Sequence, residues 1–168
     1  MKYGTMSYLL VDEKVLMIKK FERENDPNSG FYTLPGGNLE SDEKGGNLLG
    51  RLESVIRETK EETGITLINS KLCGTILFDN SERVFSNWKN PNDFFVCFFS
   101  SKYYTGELKK QSKEGIPLWV PETEMFSLPQ NDGDKKVYQW LKSPRFFSGV
   151  IYHRGIDLDE EKTFVDFY

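Results

Sequence analysis

Apolar and polar positions alternate in short runs from the beginning of the chain, and that period predicts strands. Tyr3 to Val11 reads as a strand, Asp12-Glu13-Lys14 as a turn, and Val15 to Phe21 as a second strand pairing back on the first. Lys19 and Lys20 close that strand on opposite faces, because successive side chains point to opposite sides of a sheet. A polar loop, Glu22 to Gly30, follows, and then a short aromatic strand, Phe31 to Leu34, broken by Pro35-Gly36-Gly37. The period then changes. Leu52, Val55 and Ile56 form an apolar stripe at helical spacing, which predicts a helix from about Leu48 to Thr63 ended by Gly64. Thr66 to Phe78, with a break near Gly74, Phe94 to Ser101 and Ile116 to Val120 read as further strands. A polar loop holding Trp88 and Pro91 separates the first two of these, and Asp134 to Leu141 reads as a second helix closed by Pro144. Strands with two helices placed to cover a sheet predict an α/β sandwich, with residues 1–168 forming a single domain.

Composition narrows the classes of function. Apolar residues make up 38% of the 168 and aromatic residues 14%, enough to bury a core and to argue against disorder. The formal net charge is -4 with no long basic block, which argues against a stable nucleic-acid footprint. Cys73 and Cys97 lie in apolar runs without metal-ligand spacing, and His153 is the only histidine, so a zinc site is excluded and free thiols are expected. The longest apolar run, Phe94 to Phe99, is far too short to span a membrane, and the start of the chain lacks an export-type apolar region. A cytoplasmic protein is the expectation.

The candidate chemistry sits on the first helix. Glu58, Glu61 and Glu62 stand at i, i+3 and i+4, so they share one face. Like charges at that spacing repel by roughly 0.2 to 0.5 kcal/mol per pair, and the face is either solvated, laced by Arg57 and Lys60, or neutralised by a cation. Hard carboxylate oxygens suit Mg²⁺ or Mn²⁺, and Mg²⁺ is commonly held by one or two carboxylates together with substrate phosphates.

With the Pro-Gly-Gly break just upstream, these residues resemble the box of the Nudix hydrolase family, G-x5-E-x7-R-E-U-x-E-E-x-G-U. Gly37 and Glu43 match its start, and Arg57-Glu58, Glu61-Glu62 and Gly64-Ile65 match its end. The chain departs from it twice. Six extra residues lie between Glu43 and Arg57, a glycine-rich stretch expected to be a surface loop that tolerates shortening, and Glu53 is placed to substitute for Glu43 as a partner of Arg57. Thr59 takes the aliphatic position.

Towards the C-terminus, Glu114-Gly115, Trp119-Val120, Pro129, Asp132-Gly133-Asp134, Trp140-Leu141, Phe146-Phe147-Ser148 and Val165 to Tyr168 look like the MutT-type bacterial members that hydrolyse oxidised purine nucleoside triphosphates. Phe146 and Phe147 also read simply as core, and the terminal aromatics as an edge strand.

The resemblance implies a mixed sheet between helices and metal-dependent hydrolysis of a diphosphate linkage. In a nucleoside triphosphate, 8-oxo-dGTP among the candidates, this releases a monophosphate and pyrophosphate. Glu58, Glu61, Glu62 and the Gly37 carbonyl are the implied metal ligands, Arg57 belongs to the catalytic set, and Glu114 is nominated as a distant ligand or general base ahead of Glu107, Glu122 and Glu124. Lys19, Tyr32, Thr33, Gly36, Asn131 and Asp134 are the expected substrate contacts. Two alternatives stay open: a Nudix enzyme for ADP-ribose or a dinucleotide, and a non-catalytic nucleotide-binding domain. Where such oxidised-purine hydrolases commonly carry a stacking tryptophan this chain has Asn131, and where some carry a base-reading asparagine it has Thr33. Stacking is worth roughly 1 to 3 kcal/mol per base, so broad selectivity is expected.

Overall fold

The computed structural model describes residues 1–24, 26, 28–40, 47–84 and 92–168. Twelve described strands and two α-helices follow one another as β1 (Lys2–Val11), β2 (Lys14–Lys20), β3 (Tyr32–Thr33), β4 (Gly36–Asn38), α1 (Leu48–Thr63), β5 (Ile65–Ile68), β6 (Lys71–Arg83), β7 (Phe94–Ser101), β8 (Tyr103–Gly106), β9 (Gly115–Pro121), α2 (Asp132–Trp140), β10 (Phe147–Gly155), β11 (Asp157–Leu158) and β12 (Phe164–Phe167). The expected α/β sandwich is present.

Its main sheet is mixed. β1 runs parallel to β7, and β6 parallel to β10, while the remaining described pairs are antiparallel. β1 meets β2 only around Leu10 and Val11, and β2 then turns away to pair with β9 along its whole length and with β3. That divergence curls the sheet and opens a gap at the Pro35-Gly36-Gly37 break, where β4 pairs with β1.

Each helix covers its own core. Under α1, Val55, Leu52 and Ile56 pack with Leu9, Leu16, Ile65, Leu67, Cys97 and Phe99, as the helical stripe predicts. On the other face, Val137, Tyr138, Trp140 and Leu141 of the α2 segment pack with Phe98, Ile76, Phe147 and Ile151. α1 begins at Asn47, whose side chain accepts from the Gly50 N–H, and ends at Gly64, whose φ of 84° only glycine adopts without strain. Both cysteines are free thiols. No described helix is long and apolar enough to cross a membrane.

The expectations need correction in two places. The break in the Thr66–Phe78 run falls at Asn69 (φ 53°), between β5 and β6, and Gly74 instead follows a register shift in β6. A Cβ at Gly74 would lie 2.2 Å from the Phe147 ring, so the glycine makes room for a core aromatic and does not end the strand. β4, β8, β10 and β11 also lie where the sequence pattern predicts no strand. The proposed Glu43 match, the Gly45-Gly46 part of the insertion, and Trp88 and Pro91 lie outside the described residues.

Candidate active site

A cleft of about 870 Å³ opens where α1 crosses the Gly36–Gly37 backbone, and the loop before β9 forms its far wall. Glu62 is the innermost carboxylate. Its side chain is 8% exposed, it accepts the Gly36 N–H at 2.9 Å, and Lys20 Nζ lies 3.8 Å away. Burial pushes its pKa up to about 7; Lys20 and the Gly36 N–H oppose that rise, and the charges of Glu58 and Glu114 add to it. Glu58 stands directly over Gly37, where a Cβ would come within 2.4 Å of its Oε2. A side chain at 37 would therefore displace the Glu58 carboxylate from this position. Glu61, by contrast, is 61% exposed at the rim.

Arg57 gathers this face. Its Nη1 reaches Glu58 Oε1 at 2.6 Å, Glu61 Oε2 at 3.4 Å and Glu40 Oε1 at 3.5 Å. Glu53 is exposed and is not among its described partners, so the substitution expected from i, i+4 spacing is not what the fold uses. At the C-terminal end of α1, Lys109 donates from its backbone to the Thr63 carbonyl and from Nζ to the Glu61 carbonyl, satisfying two of the helix's last acceptors.

Glu114 does reach the cleft. Partial burial raises its pKa, but the hydrogen bond and charge of Lys20, at 3.0 Å, together with Arg23 at 3.6 Å outweigh this and hold the carboxyl below its usual range. Lys20 thus ties β2 to both α1 and the β9 loop. It is the residue that strand alternation could not select: Lys20 faces the cleft, while Lys19 lies on the other side with its Nζ 5.9 Å from the Tyr32 ring. Glu107, Glu122 and Glu124 do not line the cleft, and Glu122 instead accepts from the Tyr8 hydroxyl.

The other expected substrate contacts form a separate group beside the start of α2. Tyr32 donates from its backbone to Pro129, and Leu34 accepts the approach of α2 by donating its N–H to the Tyr138 hydroxyl. Thr33 is buried with no hydrogen-bond partner for Oγ1 among the described residues. Asn131 donates to the Asn28 side chain, and half-buried Asp134 sits by Arg83. Burial raises the Asp134 pKa to about 6, opposed by Arg83 and by the Asn131 hydrogen bond. None of Lys19, Tyr32, Thr33, Asn131 and Asp134 lines the carboxylate cleft.

The comparisons agree with this geometry. The sequence pattern of the NUDIX domain matches residues 3–141. The chain belongs to the Nudix hydrolase family. A Nudix hydrolase of Bacillus subtilis, YvcI, is 32% identical over 139 residues, covering 82% of this chain and 77% of the relative. A MutT protein of Bacillus halodurans superimposes with a TM-score of 0.76 at 28% identity, covering 99% of this chain and 97% of that one. An ADP-ribose pyrophosphatase of Methanocaldococcus jannaschii is 44% identical over 54 residues, 32% of this chain and 27% of the relative.

Nudix hydrolases generally need a divalent metal, and the donors here suit one. Among the described residues no three His, Cys, Asp or Glu side chains converge on a single point, because Glu58 is held by Arg57 and Glu62 by Lys20 and Gly36. Among the described residues five glutamates and three lysines line the cleft, and Arg57 and Arg23 pair with four of those glutamates. Glu62 is buried without enough positive charge to keep its pKa down. Hard oxygens, a buried Glu62 whose charge is only partly compensated, and an open approach fit a divalent cation.

Proposed function

We propose that residues 1–168 form one Nudix domain that hydrolyses the diphosphate linkage of nucleoside triphosphates, releasing a nucleoside monophosphate and pyrophosphate. The observation that carries this reading is the closure of Glu58 and Glu62 on the Gly36–Gly37 backbone, inside a cleft lined by five glutamates among the described residues. Glu58 and Glu62 would hold Mg²⁺ or Mn²⁺, with the Gly37 carbonyl, Glu61 and Glu114 as the remaining candidate donors. Such an ion, when bound, neutralises phosphate charge and acidifies a water.

The protein groups do the rest. The Gly36 N–H orients Glu62, and Arg57 orients Glu58. Lys20 and Lys109 both line the cleft, and their ammonium groups would be the ones to meet phosphate oxygens. Glu114, kept ionised by Lys20 and Arg23, is available to accept a proton from the attacking water. The expected base contacts lie outside the cleft, with Thr33 buried and Asn131 and Asp134 at the start of α2, and asparagine at 131 has no ring to stack on a base.

Pyrophosphate and phosphate release, measured on the full chain against a panel of nucleoside triphosphates, ADP-ribose and a dinucleotide, tests the assignment. Triphosphates are expected to be cleaved best. With asparagine at 131 in place of a stacking tryptophan, kcat/KM for 8-oxo-dGTP is expected within about tenfold of that for dGTP, a gap of about 1.4 kcal/mol. A preference of several hundredfold for the oxidised base would refute broad selectivity. The short match to an ADP-ribose pyrophosphatase favours ADP-ribose as the second reading, and turnover of ADP-ribose above every triphosphate would establish it.

A further inference from the structure

Where a helix packs on a sheet, aliphatic carbon ordinarily fills the interface, but between α1 and β1 the chain buries hydroxyls. Thr5, Ser7, Ser54 and Thr59 are all 0% exposed. Thr59 stands at the box position that calls for a bulky aliphatic residue. Its hydroxyl donates to Ser7 Oγ at 3.0 Å, and Ser7 Oγ donates to the Pro35 carbonyl at 3.3 Å. That carbonyl also accepts the Ser7 N–H at 2.9 Å. The next peptide N–H, that of Gly36, donates to Glu62 Oε2 at 2.9 Å. The hydrogen bonds therefore leave α1 at Thr59, cross β1 and the Pro-Gly break, and return to α1 within a turn. Thr5 and Ser54 add a longer rung at 3.4 Å.

We infer that Ser7 and Thr59 are positioning residues, which set the register of α1 on β1 and so fix where Glu58 and Glu62 stand against Gly36 and Gly37. Apolar contact is not directional, so an aliphatic interface lets a helix settle over a range of positions along a strand. Hydrogen bonds prefer a narrow range of distance and angle, and a buried hydroxyl left unpaired is costly, so the ladder selects one register. The site needs that restriction because it has little slack. The Gly36 Cα lies so close to β1 that a Cβ would fall 2.1 Å from the Thr5 carbonyl oxygen, and one at Gly37 would fall 2.4 Å from Glu58. A shift of α1 along β1 moves both carboxylates at once.

The inference rests on the cleft being the hydrolytic site, and a structural readout separates the two ideas. In the full chain, Ser7→Ala removes the central hydroxyl, Thr59→Val keeps the side-chain volume without the donor, and Thr59→Ser keeps the donor. Val55→Ala, on the apolar side of the same helix, serves as the packing control. The amide resonance of Gly36 reports its bond to Glu62, most cleanly in Thr59→Val, since Ser7→Ala also removes a donor from the Pro35 carbonyl of the same peptide. Ser7→Ala and Thr59→Val are expected to move that resonance and to lower kcat about tenfold with KM within about twofold, as misplacement of reacting groups does. Thr59→Ser should keep both near wild type, and Val55→Ala should lower Tm without moving the resonance. An unmoved Gly36 resonance in Ser7→Ala and Thr59→Val, or a moved one with unchanged kcat, would overturn the positioning role. If Ser7→Ala does not fold, Thr59→Val decides by the same criteria. A moved resonance in a chain inactive on every nucleotide would support the ladder's control of register and refute the hydrolytic reading.

Discussion

The two helices cover opposite faces of one sheet and do so with opposite chemistry. α2 turns Val137, Tyr138 and Trp140 inward against Phe98, Phe147 and Ile151. α1 packs Val55 on a smaller apolar group, but along β1 and β4 it presents Ser54, Glu58, Thr59 and Glu62. The α2 face is mostly non-directional burial, with the Tyr138 hydroxyl accepting the Leu34 N–H, and the α1 face adds a row of directional polar contacts to its apolar group. The first tolerates adjustment and supplies stability; the second holds charge where burial opposes it, and that is where the chemistry belongs.

The largest expected effect separates the two faces outright. Glu58→Gln and Glu62→Gln should each lower kcat by about a hundredfold or more while the chain stays folded, since even outer-shell partners of a metal are worth about 10- to 100-fold. Glu61→Gln should also lower kcat, but less, because Glu61 lies at the exposed rim. Leu141→Ala on the α2 side should cost about 2 to 5 kcal/mol of stability and leave kcat near wild type. Steady-state kinetics beside thermal melts check both halves, and equal loss of kcat in all four variants would erase the contrast.

Two glycines sharpen it at smaller scale. A Cβ at Gly37 meets the Glu58 carboxylate, whereas one at Gly74 meets the Phe147 ring. Gly37→Ala is therefore expected to lower kcat about tenfold or more, by displacing a reacting group. Gly74→Ala is expected to lower stability by about 1 to 3 kcal/mol with kcat retained. The same two assays distinguish them.

The smallest effect is one of pH, and its sign differs between the regions. Glu62 is pushed up to about 7 in the fold, so the folded chain binds the extra proton and stability falls as pH rises from about 4.5 towards 7. His153, beside α2 at Gly133, is pushed down to about 4 by burial and by Arg83. The unfolded chain then binds the extra proton, and stability falls as pH drops from about 6.5 towards 4. In metal-free protein, Glu62→Gln should raise Tm relative to wild type at pH 8 and lose that advantage by pH 4.5. His153→Gln should flatten the acid-side loss. Melts across that range check the signs, and parallel profiles for both variants would contradict them.

Much of this contrast was legible in the sequence, and the rest was hidden for particular reasons. α1 could be read residue by residue, because Leu52, Val55 and Ile56 keep helical spacing and Gly64 marks the stop. The carboxylate cluster came with it, and so did Glu114 in the loop before β9. β10 was missed because Ser148, Gly149, Arg154 and Gly155 interrupt any alternation, and its place between β6 and β12 is set by long-range pairing. Lys20, not the expected Lys19, faces the cleft, because alternation sets the two on different faces without saying which face is the cleft; that depends on β2 leaving β1 for β9. Thr59 reads only as a departure from the aliphatic position because Ser7, its partner, lies 52 positions away.

The central claim is that α1 carboxylates held against Gly36 and Gly37 carry a metal-dependent diphosphate cleavage. Pyrophosphate release from dGTP by the chelator-stripped full chain, titrated with Mg²⁺, tests it most directly. The expected result is no turnover without metal and a saturable rise with added Mg²⁺. Turnover undiminished in excess chelator would contradict it.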